Sequence, residues 1–209
     1  MKIITTVGPH RVKHGNVMEG IEELMGNDTA DIVYSDPPWG EGNIKYWETM
    51  NKKMNSVEVK SAVPLPAFLN QIFSIATKYS NNMILIEYGM KWYEDIVNYG
   101  LKHNLIHNGI AVLKYRSGSK FYPLHLHVFS KRPIVLPSNY LENLKDTYGM
   151  DTLRKAIEPF KQSGKIILDP CCGMGYTAQI ALETGMFFRG NELNEARLNK
   201  TIARLQKHS

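Results

Sequence analysis

The chain has 209 residues, 43% of them hydrophobic and 22% charged, with a formal net charge of +5. That length suits one domain with a substantial core, and the composition is that of a soluble globular protein, which excludes wholesale disorder, collagen and repeat arrays. No apolar run nears the roughly 18 residues that cross a bilayer, and the N-terminus does not read as a secretory signal. The only cysteines, Cys171 and Cys172, are adjacent and cannot staple distant segments, so a reducing cytoplasmic setting is expected. The basic excess is mild and compatible with a polyanionic partner.

In chain order, Asn16-Val17-Met18-Glu19 resembles a capping box, and Met18, Ile21 and Met25 recur at helical spacing, so a helix is predicted there. Residues 31–35 are a short apolar run halted by Pro37-Pro38, which reads as a buried strand with an abrupt end. Helices are predicted at 69–79 and 92–99, with a strand at 82–87 between them. Strands at 109–115 and 124–129 flank the turn-rich Arg116-Ser117-Gly118-Ser119 and predict an antiparallel hairpin. Then come a strand at 165–168, a helix at 176–184 closed by Gly185, and a strand at 186–189. A last helix follows Asn194, with Leu198, Ile202 and Leu205 on one face. The alternation predicts an α/β fold: a doubly wound, mostly parallel sheet with an antiparallel hairpin at its edge. The whole chain reads as one domain, with halves at about 14–132 and about 156–209 joined by a short connection. Two stretches, 40–66 and 133–151, show no clear pattern.

Two strand ends carry chemistry. Asp36-Pro37-Pro38-Trp39 presents a carboxylate, two prolines without N–H groups and a broad aromatic face where the chain must leave the sheet. A carboxylate oxygen and a nearby carbonyl together can hold both hydrogens of an exocyclic amine, and an indole stacks on a planar base. The plainer reading is a turn in which Trp39 only packs. The second is Asp169-Pro170-Cys171-Cys172-Gly173-Met174-Gly175, between a strand and a helix. Its glycines let a ligand approach the backbone, and the helix N-terminus adds free N–H groups. About 20 residues on, Glu192 ends the next strand, where an acid suits a ribose diol.

These motifs together resemble the S-adenosylmethionine-dependent amino methyltransferases that modify exocyclic amines of nucleobases. The resemblance covers most of the chain, from about His14 onward. In that family a D-P-P-[WY] motif holds the target amine and a D-P-F-x-G-x-G turn holds the methionine end of the cofactor. The matching residues are Asp36 to Trp39 and Asp169 to Gly175. The resemblance implies that Asp36, Pro37, Pro38 and Trp39 are catalytic. It implies that Asp169, Pro170, Cys171, Cys172, Gly173, Gly175, Thr177 and Glu192 bind S-adenosylmethionine. Catalytic motif before cofactor motif is the permuted order of the beta group. Physically the order is harmless, because both motifs need only meet at neighbouring strand ends near the switch point of the sheet. Cys171 replaces the usual phenylalanine. Asn16 stands where the family often has an aspartate near the cofactor adenine; a helix N-cap is the competing role. Where larger members carry a target-recognition domain, this chain has only the 133–155 segment, which implies weak sequence specificity or help from a second copy in a homodimer.

The resemblance favours an adenine-N6 enzyme acting on DNA. RNA adenine-N6 and cytosine-N4 DNA methyltransferases are the alternatives, followed by a non-catalytic supporting subunit and, more remotely, a dehydrogenase. Between residues 114 and 132 stand Lys114, Arg116, Lys120, Lys131 and Arg132 with no acid, interleaved with Tyr115, Phe121 and Tyr122. Lys114, Arg116, Lys120 and Tyr122 are the candidate nucleic-acid contacts; a solubilising hairpin is the competing reading. His125 and His127 share a strand face but lack further ligands, so no metal site is expected and a packed pair is. Glu87 reads equally as a neighbour of the site or a solvated rim residue. Tyr46 and Trp47 in the 40–60 stretch suit a lid, a substrate loop or local packing.

Overall fold

Eight strands pair into one sheet in the computed structural model, which describes residues 3–42, 45–46, 49–50 and 64–207. They are β1 (Ile3–Val7), β2 (His10–His14), β3 (Ala30–Ser35), β4 (Ser80–Tyr88), β5 (Ile106–Ser117), β6 (Lys120–Ser130), β7 (Ile166–Asp169) and β8 (Phe187–Glu192). Their order is β1-β2-β8-β7-β3-β4-β6-β5. The middle strands β2, β8, β7, β3 and β4 run parallel. Both edges are antiparallel: β1 with β2 on one side, and β4, β6 and β5 in succession on the other.

The sequence predicts the β5–β6 hairpin but not the β1–β2 pair. The reason lies in β2, which buries a polar side chain on each face, with Val12 its one apolar core residue. His10 Nδ1 accepts from the Phe188 N–H at 3.1 Å. Lys13 is fully buried, its Nζ donating to the Gly20 carbonyl at 2.7 Å and to Glu23 Oε2 at 2.9 Å. A strand that buries hydrogen-bonded polar groups carries no apolar alternation for a pattern to find.

The helices are α1 (Glu22–Met25), α2 (Leu65–Tyr79), α3 (Tyr93–Lys102), α4 (Tyr140–Leu144), α5 (Met150–Ile157), α6 (Tyr176–Thr184) and α7 (Glu195–Gln206). Side chains alternate across each strand. Val33, Ile84 and Ile86 share a core with Ile72 and Phe73 of α2 and Ile96 of α3. Ile32, Tyr34 and Leu85 share the opposite core with Leu153 of α5, Ala178 and Ile180 of α6, and Leu198 of α7. With both faces covered, the central strands read as continuous apolar runs.

Two expectations change. The helix predicted over 18–25 is a 3-10 turn, Val17–Glu19, followed by the four-residue α1, broken between them at Gly20 with φ +81°. The unpatterned 133–151 stretch contains α4 and leads into α5. Its Asp146 N–H donates to the Val112 carbonyl at 2.9 Å, and Thr147 accepts from the Lys114 N–H at 2.8 Å, which covers the open edge of β5. Trp47 and most of 40–66 lie outside the described residues. Among the described residues no helix is long and apolar enough to cross a membrane.

The topology sets the site. From β7 the chain returns through α6 to β8 on one side; from β3 it returns through α2 to β4 on the other. β3 and β7 are direct neighbours, Ile32 opposite Ile167 and Val33 opposite Leu168. The crossovers therefore diverge between these strands, where open α/β sheets form a ligand crevice. Asp36 and Asp169 lie at their carboxyl ends.

Candidate active site

The loop after β3 is held by side chains from the end of β4. The Tyr88 hydroxyl donates to the Pro38 carbonyl at 3.1 Å and accepts from the Gly40 N–H at 3.1 Å. Gly40 has φ +72°, and a Cβ there would stand 2.3 Å from the Trp92 ring, so only glycine fits this turn. Trp39 is half-buried, and its indole N–H donates to Asp36 Oδ1 at 3.0 Å, which orients the carboxylate. Beyond this loop opens a cleft of about 710 Å³ lined by Trp39, Gly40, Leu65, Lys91, Trp92 and Tyr115. Lys91 Nζ sits 4.1 Å from the centre of the Trp92 ring.

Asp36 is exposed yet walled by protein on several sides, and that desolvation raises its carboxyl above the ordinary carboxylate range, opposed by the indole hydrogen bond. Water reaching the group screens part of the effect, and the direction stays upward. Behind it, Glu87 is buried and accepts from the Tyr34 hydroxyl, so it is not a solvated rim residue. Burial, and then the charge of Asp36, push its carboxyl up. Ser35 pairs with Ile86, which makes Asp36 and Glu87 the next positions along the same two strands. Two carboxyls so placed do not ionise together cheaply.

The turn after β7 is built differently. Asp169 is buried; Oδ1 accepts from the Cys171 N–H at 3.0 Å and Oδ2 from the Thr177 hydroxyl at 2.6 Å. Burial raises its pKa to about 7, against both hydrogen bonds. Glu192 Oε2 accepts from the Gly173 N–H at 2.8 Å and Oε1 from the Asn194 N–H at 2.7 Å. Its carboxyl is also raised, by burial first. Each Glu192 oxygen keeps a further acceptor site. The Asn191 amide joins the Pro170 carbonyl (3.2 Å) to that of Gly15 (3.1 Å), tying the turn to the end of β2.

The two glycines of this turn differ. Gly173, at φ +53°, would have nothing within 4 Å of a Cβ and faces open space. A Cβ on Gly175 would meet Thr201 Oγ1 of α7 at 2.7 Å, so the room Gly175 keeps belongs to helix packing rather than to a ligand. Thr177, buried with its hydroxyl on Asp169, likewise braces the turn. Asn16 Oδ1 accepts from the Met18 N–H at 3.0 Å, which is the N-cap role. Cys171 and Cys172 are free, and burial raises both thiols well above their ordinary range. Among the described residues no group of three histidine, cysteine or acidic side chains is placed to hold a metal ion.

The basic stretch from Lys114 to Arg132 is not one surface. Lys131 Nζ donates to the Ser80 carbonyl at the start of β4, while Lys120 begins β6 at the hairpin tip. At about 3.3 Å per residue these lie roughly 30 Å apart. Lys114 pairs with Asp146 at 3.1 Å, and Arg116 Nε donates to the Gly118 carbonyl at 2.9 Å. Arg116, Lys120 and Tyr122 remain exposed at the tip. His125 and His127 are buried in a stack with Tyr93, His107 and Phe129. Sequence reasoning missed Tyr34, Tyr88, Lys91, Trp92 and Tyr115. Only Gly89, directly after a buried strand, marks that a second loop turns into the site there.

No family model and no curated protein matches the chain. Solved structures do. The M1.HpyAVI complex with S-adenosylmethionine superposes with a TM-score of 0.66 at 15% identity, over 93% of this chain and 98% of that one. A Thermus thermophilus protein assigned as a DNA modification methylase superposes at 0.65 and 17% identity, over 95% of each chain, and is also solved with S-adenosylmethionine. The cytosine-N4-specific PvuII DNA methyltransferase superposes at 0.66 and 10% identity, over 95% of this chain and 87% of that one. With this sheet order and these strand-end turns, the chain has the Rossmann-like methyltransferase fold.

Proposed function

We propose that this chain is an S-adenosylmethionine-dependent DNA methyltransferase acting on the exocyclic amine of adenine, N6. The observation that carries the reading is the meeting of the Asp36 loop and the Asp169 turn on neighbouring strands at the switch point. The fold's neighbours solved with S-adenosylmethionine support the cofactor. When bound, that cofactor supplies an electrophilic methyl group on a sulfonium. Gly173, open and in a left-handed conformation, suits close approach of its methionine end, and the spare acceptor sites of Glu192 suit its ribose hydroxyls.

An amine on an aromatic ring is a poor nucleophile, because its lone pair is delocalised. Asp36 Oδ1 already accepts from Trp39, so Oδ2 takes one amine hydrogen. The Pro38 carbonyl accepts from Tyr88, so the Pro37 carbonyl takes the other. Held at both hydrogens, the nitrogen pyramidalises and its lone pair is aimed out of the ring plane; orientation and fixed dipoles carry the acceleration. The base reaches this edge only when flipped or unpaired, and Trp39 offers it a stacking face.

Transfer of labelled methyl to duplex DNA, single-stranded DNA and RNA, with nucleoside mass spectrometry of the product, tests the reading. N6-methyladenine in DNA supports it, and no transfer to any nucleic acid overturns it. Cytosine N4 is the second reading, favoured by the cytosine-N4-specific PvuII enzyme superposing as well as the M1.HpyAVI complex; N4-methylcytosine as the product would establish it.

A further inference from the structure

The sheet face that carries Asp36 continues outward as a row of rings. Trp39 sets its ring against Tyr115 with centroids 4.9 Å apart and 79° between planes. Tyr115 stacks on Tyr122 at 5.4 Å and 27°. Tyr115 and Tyr122 are directly paired across β5 and β6, so both rings leave the same side of the hairpin. Exposure rises along the row: Trp39 and Tyr115 are half-buried, and Tyr122 is 41% exposed.

The hairpin also overhangs the sheet. β4 ends at Tyr88, opposite His125, whereas β6 begins at Lys120. Residues 120–124 and their β5 partners therefore project past the end of β4 as a two-stranded arm. Such an arm stabilises little by itself. A large ring half out in water at its tip is not accounted for by core packing. Lys120 pairs with Ser117, two positions along from the Tyr115–Tyr122 pair, so it leaves the same side and stands exposed beside the ring, and no acid interrupts residues 114–132.

We propose that Tyr122 is a second stacking platform, which takes the base adjoining the target base from an unpaired strand. The inference rests on the methyltransferase reading above: Trp39 receives the target base, and Tyr122, two ring contacts further out, receives its neighbour. The occupant is a single-stranded segment of polynucleotide. Ring faces give it sequence-tolerant stacking, and Lys120 on the same face complements its phosphates. In a duplex the neighbouring base stays stacked, so a double-stranded substrate has to be opened beyond the target position itself.

The test is a double-mutant cycle on the intact chain. Binding of a short single-stranded DNA with one adenine is measured by fluorescence anisotropy. The same strand made abasic at the position 5′ or 3′ of the adenine is compared, in the native protein and in Tyr122→Ala. For the native protein, losing the base on one of the two sides should weaken binding roughly 5- to 150-fold, the worth of one stacking contact. In Tyr122→Ala that penalty should vanish, and in Tyr122→Phe, which keeps a ring, it should persist. A penalty of the same size in Tyr122→Ala, a lost penalty in Tyr122→Phe, or no penalty on either side overturns the platform. Methyl transfer to the unmodified strand and to its duplex is followed in parallel: transfer without the flanking-base penalty overturns the platform alone, and absence of transfer to both overturns the functional reading.

Discussion

Asp36 and Asp169 follow neighbouring parallel strands at one edge of the sheet, yet the chain around them uses them in opposite ways. Asp169 is buried, and its own turn occupies both of its oxygens, through the Cys171 N–H and the Thr177 hydroxyl. Asp36 is exposed and receives a single indole N–H. A carboxylate whose acceptors are filled from within organises backbone; one left half-filled and exposed is available to a ligand. Motif identity alone does not separate the two uses. The count of internal donors does.

That contrast can be broken most decisively at Asp36. Asp36→Ala should lower turnover by at least about 10²- to 10³-fold, the usual loss for one preorganised polar contact at a reacting centre. Cofactor affinity by calorimetry should stay within about twofold. Near-native turnover would make Asp36 a structural residue like its neighbour. Asp169→Ala should do the reverse and destabilise the fold by about 2–4 kcal/mol in a denaturant titration, because it strands the Cys171 N–H and the Thr177 hydroxyl. Asp36→Ala frees only the Trp39 indole N–H, at an exposed position where water replaces the lost acceptor, and should stay within about 0.5 kcal/mol. Glu192 tests an intermediate case. It carries one internal donor on each oxygen, as Asp169 does, but lies at the turn that Gly173 opens; if the second acceptor site of each oxygen takes a ribose hydroxyl, Glu192→Ala should cost about 1.5–3 kcal/mol of cofactor binding, tenfold or more. Unchanged affinity would place Glu192 wholly on the structural side.

Acidity sharpens the comparison with the smallest effects. The raised Asp36 carboxyl should lose its charge as pH falls through a range above that of ordinary carboxylates, and turnover per folded molecule should fall with it. Stability responds separately. Asp169 has a folded pKa of about 7 against 3.8, so its contribution is full below 3.8 and is lost as pH rises through about 7. His127 has a folded pKa of about 3 against 6.5, so its contribution is full above 6.5 and is lost as pH falls toward 3. Each group bends the stability profile by at most about 1.4 kcal/mol per pH unit. Unfolding of the native protein, Asp169→Asn and His127→Phe at pH 5 and pH 7.5 should show the first variant flattening the alkaline loss and the second the acid loss.

The parallel core and both strand-end turns were legible in the sequence because they rest on local signals: apolar runs closed by proline or glycine, and an acid at each strand end. What stayed hidden depends on partners distant in the chain. β2 buries Lys13 and His10, and its pattern shows only once Gly20, Glu23 and Phe188 stand beside it. Asn16 caps the turn through Oδ1, and the helix it opens is short because Gly20 stops it after one turn. Gly175 looks like a ligand glycine in a G-x-G turn, and only the position of Thr201 shows which neighbour needs its room. Tyr88 at the end of β4 and Trp92 in the turn just beyond it support the Asp36 loop from the neighbouring strand.

The place of β2 beside β8 has a consequence for synthesis. Phe188 bonds to His10, and Gly15 to the Glu192 carbonyl, so the first hairpin waits for some of the last residues to be made. β3, β4, β5 and β6 can pair while the chain is still growing, since their partners lie within residues 30–130. The Asp36 loop can therefore form early, and the Asp169 turn closes only once residues 191–194 have emerged. Until then the flank of β3 that β7 will cover stands as an unpaired edge, and that interval is when a nascent chain is most exposed to misassociation with another.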